Sequence, residues 1–194
     1  MSSRVRRRRR RLAIGAAVLA SVAVIGLLLR GTIDKAIQEL TLPLKHEDVI
    51  RQQAREKDVD AALIAAVIYS ESKFSESTSS AGARGLMQIT RDAANDIERH
   101  SGGTTFRFSD LSDPEINIRY GTFLLRELLE RYEGDEAAAL AAYNAGPGNA
   151  DRWGGSDLTV EEIPFPETRA YVEEVLEKQR EYREEYPREL GYGR

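Results

Sequence analysis

Glu71 is an ionisable carboxylate placed directly after the most apolar segment of the folded part of the chain, Ala61 to Ser70 (AALIAAVIYS), and before the polar loop Ser75 to Ser80. Burial at such a position penalises the charged form and raises the pKa. A carboxylic acid still protonated near neutral pH can donate a proton to a leaving group, as general-acid cleavage of a glycosidic bond requires. A helix-end carboxylate standing in solvent fits the same position, so more than Glu71 is needed. The stretch from Ser79 to Gln88 (SSAGARGLMQ) combines small residues, which permit close backbone approach, with an amide and a polarizable thioether. Gln88 can donate and accept hydrogen bonds as an acetamide demands, and Met87 offers apolar surface, a mixture suited to N-acetylated sugars or equally to a Gly-rich loop over a core Met. A third cluster, Ala141 to Gly148 (AAYNAGPG), ends an Ala-rich stretch with Tyr143 and Asn144. Asn144 there reads as a ligand contact or as a C-terminal cap.

These clusters need a scaffold, and the spacing predicts helices throughout, with no sustained strand alternation: an all-α domain. His46 to Lys57 places Val49, Ile50, Gln53 and Ala54 at helical spacing, and Asp60 caps the central helix, apolar around its whole circumference. Thr90 caps Arg91 to His100, closed by Gly102-Gly103. Asp113-Pro114 opens a helix whose stripe reads Ile116, Tyr120, Leu124, Leu128 and Tyr132, widened by Phe123 and Leu125 and stopped at Gly134. Asp135 caps Glu136 to Asn144, Gly146-Pro147-Gly148 breaks the chain, and a last helix from Glu167 to Tyr186 carries Val172, Val175, Leu176, Gln179 and Tyr182 on one face.

In front of this body, residues 1–30 hold eight of the 28 basic residues and no acid, so the remainder carries 20 basic against 32 acidic residues, a net −12. Such a body repels phosphate backbones, and the arginine cluster Arg6 to Arg11 precedes an uncharged 18-residue run, Leu12 to Leu29. The run approaches the roughly 30 Å of a bilayer core at about 1.5 Å per residue, and the arginines mark its cytoplasmic flank. A cleavable signal peptide is the competing reading, with Ser21-Val22-Ala23 as its small-x-small site, but the apolar run continues to Leu29. Both readings export the body. The layout expected is a basic flank (1–11), one N-terminal transmembrane helix acting as signal anchor (12–29), a stalk (30–43), a catalytic domain (44–186) and a C-terminal tail (187–194). With no cysteine and only His46 and His100, thiolate and multi-histidine metal centres are excluded, and neither metal nor cofactor is expected.

Glu71-Ser72-Lys73-Phe74, Gly85-Leu86-Met87-Gln88 and Ala142-Tyr143-Asn144-Ala145-Gly146 occur in the order and spacing of the soluble lytic transglycosylase catalytic domain, which the chain resembles from about Leu44 to Tyr186. Asp113-Pro114 with Asn117, Tyr120-Gly121, and Pro164 to Val172 (PFPETRAYV) extend the resemblance. Ser75-Glu76 in place of the more usual Asn-Pro, and a loop one residue short, are the departures. The resemblance implies a lysozyme-like helical fold and cleavage of the β-1,4 bond between N-acetylmuramic acid and N-acetylglucosamine in peptidoglycan. It makes Glu71 the catalytic glutamate, puts Ser79 and Gln88 at substrate-contacting positions with Met87 beside them, lets Tyr143 and Asn144 line the cleft, and sets Tyr171 near the carboxylate.

Ordinary glycosidases use two carboxylates, and here no second motif acid accompanies Glu71, Glu76 and Asp92 being the nearest in sequence. With one carboxylate, the resemblance implies that Glu71 acts as acid and then as base on the muramic 6-hydroxyl, giving a 1,6-anhydro product. A muramidase hydrolysing the same bond and a non-catalytic peptidoglycan-binding domain are the competing functions. The partners expected are glycan strands and the cytoplasmic membrane through residues 12–29, not nucleic acid; the body faces the cell wall. Trp153 is left open between sugar stacking and packing.

Overall fold

The structure, a computed structural model, describes Ser21, Val24 and residues 38–76, 78–79, 82–101 and 107–193. The chain divides into two compact units, residues 1–43 and 44–194. The anchor segment 12–29, Ser21 and Val24 apart, and the Gly102-Gly103 stop lie outside the described residues. Among the described residues no helix is long and apolar enough to cross a membrane.

The second unit is built from seven α-helices among the described residues: α1 (Glu47–Lys57), α2 (Ala61–Ser72), α3 (Arg91–Ser101), α4 (Pro114–Arg131), α5 (Glu136–Ala145), α6 (Pro147–Trp153) and α7 (Pro166–Glu185). Three short 3₁₀ turns, Phe108–Ser112, Gly155–Asp157 and Val160–Glu162, link them. The central helix is α2. Its residues Ala61 to Ile68 are all buried, and each fully enclosed Leu, Ile or Val contributes about 2 kcal/mol of hydrophobic stabilisation. It packs chiefly on α7 and also on α1, while α5 is held between α4, α6 and α7.

Local chemistry sets the starts. Asp60 accepts from the Leu63 N–H at 2.9 Å, Asp113 from Glu115 and Ile116, and Asp135 from Ala138 at 2.7 Å, each satisfying donors that a helix start leaves unpaired. Pro114, Pro147 and Pro166 occupy first-turn positions, where the missing N–H costs nothing.

Three features depart from the expected pattern. The buried stripe of α4 is not Ile116, Tyr120 and Leu124 but Asn117, Ile118, Gly121, Thr122, Leu125 and Leu128. Polar Asn117 and Thr122 turn inward because their hydrogen bonds are met inside, Thr122 by the Ile118 carbonyl at 2.7 Å. Gly146-Pro147-Gly148, expected as a break, lets Pro147 start the short helix α6. Residues 187–193, expected as a separate tail, fold back on the domain: Leu190 is buried, and the Tyr192 hydroxyl accepts from the Ala62 N–H at 2.8 Å while donating to Asp60 at 2.9 Å.

Candidate active site

Glu71 lies in the last turn of α2 rather than after it. The chain leaves the helix through Lys73 (φ 51°) and Phe74 (φ 59°), two residues in the left-handed region, so it reverses sharply and Phe74 drops into the core against Tyr182 at 6.2 Å between ring centroids. Such conformations cost about 1–2 kcal/mol per residue, and burial of the Phe74 ring offsets the cost.

Arg84 pairs with Ile89 through two backbone hydrogen bonds of 3.0 Å, and Gly85-Leu86-Met87-Gln88 forms the turn between them. Three helices pin that turn. From α2, Ser72 Oγ donates to the Leu86 carbonyl at 2.8 Å. From α4, Asn117 accepts the Met87 N–H at 2.8 Å and donates to the carbonyls of Arg84 and Leu111 at 2.9 and 3.0 Å. From α5, the Tyr143 hydroxyl donates to the Met87 carbonyl at 2.8 Å. Gly85 (φ 75°) sits so close to Asn117 that a Cβ would stand 2.1 Å from its Nδ2, and at Gly121 a Cβ would stand 2.3 Å from Met87 Sδ. Only glycine permits either approach. The turn is thus clamped beside Glu71 with little freedom.

Around the carboxyl the chemistry is sparse. Burial is the dominant influence on Glu71 and lifts its pKa from 4.5 to about 7; the nearby Tyr171 hydroxyl, on α7, opposes this in part. That hydroxyl is sealed from solvent and engages in no hydrogen bond of full geometry, so its coupling to Glu71 is a polar contact looser than a closed bond. Burial, with the charge of Glu71 in second place, holds the phenols of Tyr143 and Tyr171 well above their ordinary pKa, so both remain neutral. The result is one carboxyl, poised to lose or gain a proton near neutrality, flanked by two uncharged phenols.

The remaining residues singled out in the sequence fall as follows. Met87 has 0% exposure and fills the core under Gly121, so its part in the site is its backbone and not an apolar surface offered to a sugar. Gln88, at φ 46°, donates from Nε2 to the Gly85 carbonyl at 2.7 Å, so part of its amide is committed to the turn. Ser79 Oγ accepts from the Ala83 N–H at 3.0 Å and closes the preceding turn. Asn144 is exposed at the end of α5, and its Oδ1 accepts from Thr168 Oγ1 on α7 at 2.8 Å. Gly146, not Asn144, is the capping residue. Glu76 and Asp92 are both exposed. Pattern reading by itself missed Asn117, whose signal in the sequence was its place with Asp113-Pro114 in the family resemblance.

A helical domain with a half-buried carboxyl in the last turn of its central helix, in the same fold as a clamped, amide-bearing turn, defines a candidate acid–base site. The sequence model of the Transglycosylase SLT domain matches residues 48–165, and the chain belongs to that family. It is 33% identical over 154 residues to the soluble lytic murein transglycosylase of Escherichia coli K12, covering 75% of this chain and 24% of that protein. It is 38% identical over 124 residues to membrane-bound lytic murein transglycosylase C of Cronobacter sakazakii, covering 58% and 34%. Among solved structures, an inactive Glu-to-Gln mutant of the lytic transglycosylase Slt from Pseudomonas aeruginosa superposes with a TM-score of 0.72 at 30% identity, over 81% of this chain and 26% of that one. The 70 kDa soluble lytic transglycosylase of Escherichia coli gives a TM-score of 0.71 at 33% identity, over 75% and 25%. The fold is the mostly helical, lysozyme-like one of this family. The chain spans about a quarter of the length of the soluble relatives it matches.

Proposed function

We propose that the chain is a peptidoglycan lytic transglycosylase in which Glu71 serves first as acid and then as base. The observation that carries this reading is the half-buried Glu71 carboxyl in the last turn of α2, its pKa raised to about 7 and its charge felt by the phenols of Tyr143 and Tyr171. The Glu71 proton passes to the oxygen linking N-acetylmuramic acid to N-acetylglucosamine, and the C1–O bond breaks with the electron pair leaving on that oxygen. The Glu71 carboxylate then takes the proton of the muramic 6-hydroxyl as that oxygen bonds to C1. The product is the 1,6-anhydro sugar, Glu71 is again protonated, and no water is consumed. Assistance by the 2-acetamido group stabilises the oxocarbenium-like stage, which relieves the need for a second carboxylate. Ser79, Gln88 and Asn144 are proposed to contact the glycan.

Residues 12–29 are proposed to anchor the chain in the cytoplasmic membrane, with residues 1–11 inside and the domain from residue 44 facing the wall. The apolar run behind its arginines supports this, as does the similarity to a relative named membrane-bound. Mass spectrometry of the soluble products released from purified peptidoglycan by the full chain, with Glu71→Gln in parallel, tests the chemistry. Anhydromuramyl ends that vanish in the variant are expected. Reducing muramic ends would replace the transglycosylase with a muramidase, and no release by folded protein would leave a binding domain.

A further inference from the structure

Trp153 is the only tryptophan of the chain, and it meets Phe165 edge to face with ring centroids 4.9 Å apart. Phe165 is itself 49% exposed, and within residues 44–194 only it and Tyr192 are large apolar side chains left in solvent, among the described residues. The Tyr192 hydroxyl is engaged by Asp60 and Ala62, whereas no intramolecular hydrogen bond could account for a phenyl ring. Phe165 directly precedes Pro166 at the start of α7, which holds its backbone extended (φ −86°, ψ 113°). With Trp153 behind it, the ring is fixed in place and not merely dangling.

Phe165 lines a cleft of about 440 Å³ with Asn144, Asn149, Glu167 and Thr168. Two of its lining residues neighbour in sequence the phenols that feel the Glu71 charge: Asn144 follows Tyr143, and Thr168 lies about one helical turn before Tyr171. Thr168 occupies the Asn144 oxygen, which leaves the Asn144 NH₂ as donor. Asn149 is spent on the Ala145 carbonyl at 2.7 Å and on Arg152. Exposed Glu167 offers an acceptor. A β-linked pyranose has a face of C–H groups, complementary to the negative face of an aromatic ring, and a rim of hydroxyl and acetamide groups that matches one donor and one acceptor.

Resting on the peptidoglycan reading above, we propose that Phe165, backed by Trp153, is a stacking platform for an N-acetylhexosamine ring of the glycan strand, next to the ring whose bond Glu71 breaks. It binds sugar and does not touch the reacting atoms. Two readouts test it. In the full-length Glu71→Gln protein, titration with the β-1,4-linked tetramer of N-acetylglucosamine is expected to change Trp153 emission saturably, and Phe165→Leu in that background to weaken binding about tenfold. In the otherwise native chain, Phe165→Leu is expected to raise KM on peptidoglycan about tenfold with kcat within twofold, and Phe165→Tyr to retain the native KM. Trp153 emission that stays flat through saturating sugar, or a native KM in folded Phe165→Leu, would overturn the platform. A native chain that fails to cleave peptidoglycan while its Trp153 still reports the tetramer would remove the enzyme reading and leave the platform standing.

Discussion

Helix α2 has a carboxylate at each end, Asp60 as its cap and Glu71 in its last turn, and burial acts on both to raise the pKa. At Asp60 the effect is overcome: the Leu63 N–H, Arg183 at 2.7 Å and Tyr192 at 2.9 Å all bind the carboxylate, and its pKa falls below the usual 3.8. At Glu71 only the loosely coupled Tyr171 hydroxyl opposes burial, and the pKa rises to about 7. The same residue chemistry on one helix gives a structural clamp where partners are supplied and a carboxyl that titrates near neutrality where they are withheld. The turn from Gly85 to Gln88 is meanwhile tied down by Ser72, Asn117 and Tyr143, so the under-partnered carboxyl sits in the same domain as a firmly clamped turn.

The largest expected effect breaks the functional end alone. Glu71→Gln should lower turnover on peptidoglycan by about 10²–10⁴-fold while leaving the fold intact, measured by product release and far-ultraviolet circular dichroism. Next in size is the surround. Asn117→Ala strips partners from the Met87 N–H and the Arg84 and Leu111 carbonyls, and at about 1–3 kcal/mol for each buried group left unpaired it should cost at least about 3 kcal/mol in denaturant unfolding.

Stability should then separate the two carboxylates by sign. Glu71 has a folded pKa above its unfolded one, so the native chain folds without penalty below pH 4.5 and accumulates an ionisation penalty as pH rises to about 7. Thermal melts of Glu71→Gln should match the native chain at pH 4 and exceed it at pH 8, by up to about 3 kcal/mol. Asp60 is the reverse: its depressed pKa contributes stability above the unfolded value near 3.8 that is lost as pH falls through the folded one. Asp60→Ala should cost about 1–2 kcal/mol at pH 7 and progressively less below pH 3.8. The smallest effect concerns Tyr171. Its hydroxyl lowers the Glu71 pKa, so Tyr171→Phe should move the alkaline limb of kcat/KM, followed on peptidoglycan, to higher pH.

The helix starts were legible in the sequence because capping is local: Asp60, Asp113 and Asp135 each bond to an N–H within three residues. Glu71 was legible as a candidate from the apolar run before it, and the motif resemblance supplied Tyr143 and Tyr171. What escaped pattern reading depends on contacts distant in sequence. The inward turn of Asn117 is decided by Met87 and Arg84 thirty or so residues earlier, and with it the register of the whole α4 stripe. Met87 lies in the core because Gly121 makes room for it, a fact no window around Met87 contains. The fold-back of residues 187–193 rests on Tyr192 reaching Asp60 and Ala62, at the opposite end of the domain sequence. The open choice for Trp153 resolved into a pair, with Trp153 as backing and Phe165 as the exposed ring.

The most direct test of the comparison is a carbon-detected nuclear magnetic resonance titration that follows the side-chain carboxyls of Glu71 and Asp60 in the same sample. A midpoint near 7 for Glu71 and one below 3.8 for Asp60 is the expected result. A Glu71 midpoint near 4.5 would contradict the account, since a carboxyl ionised throughout the neutral range has no proton to give.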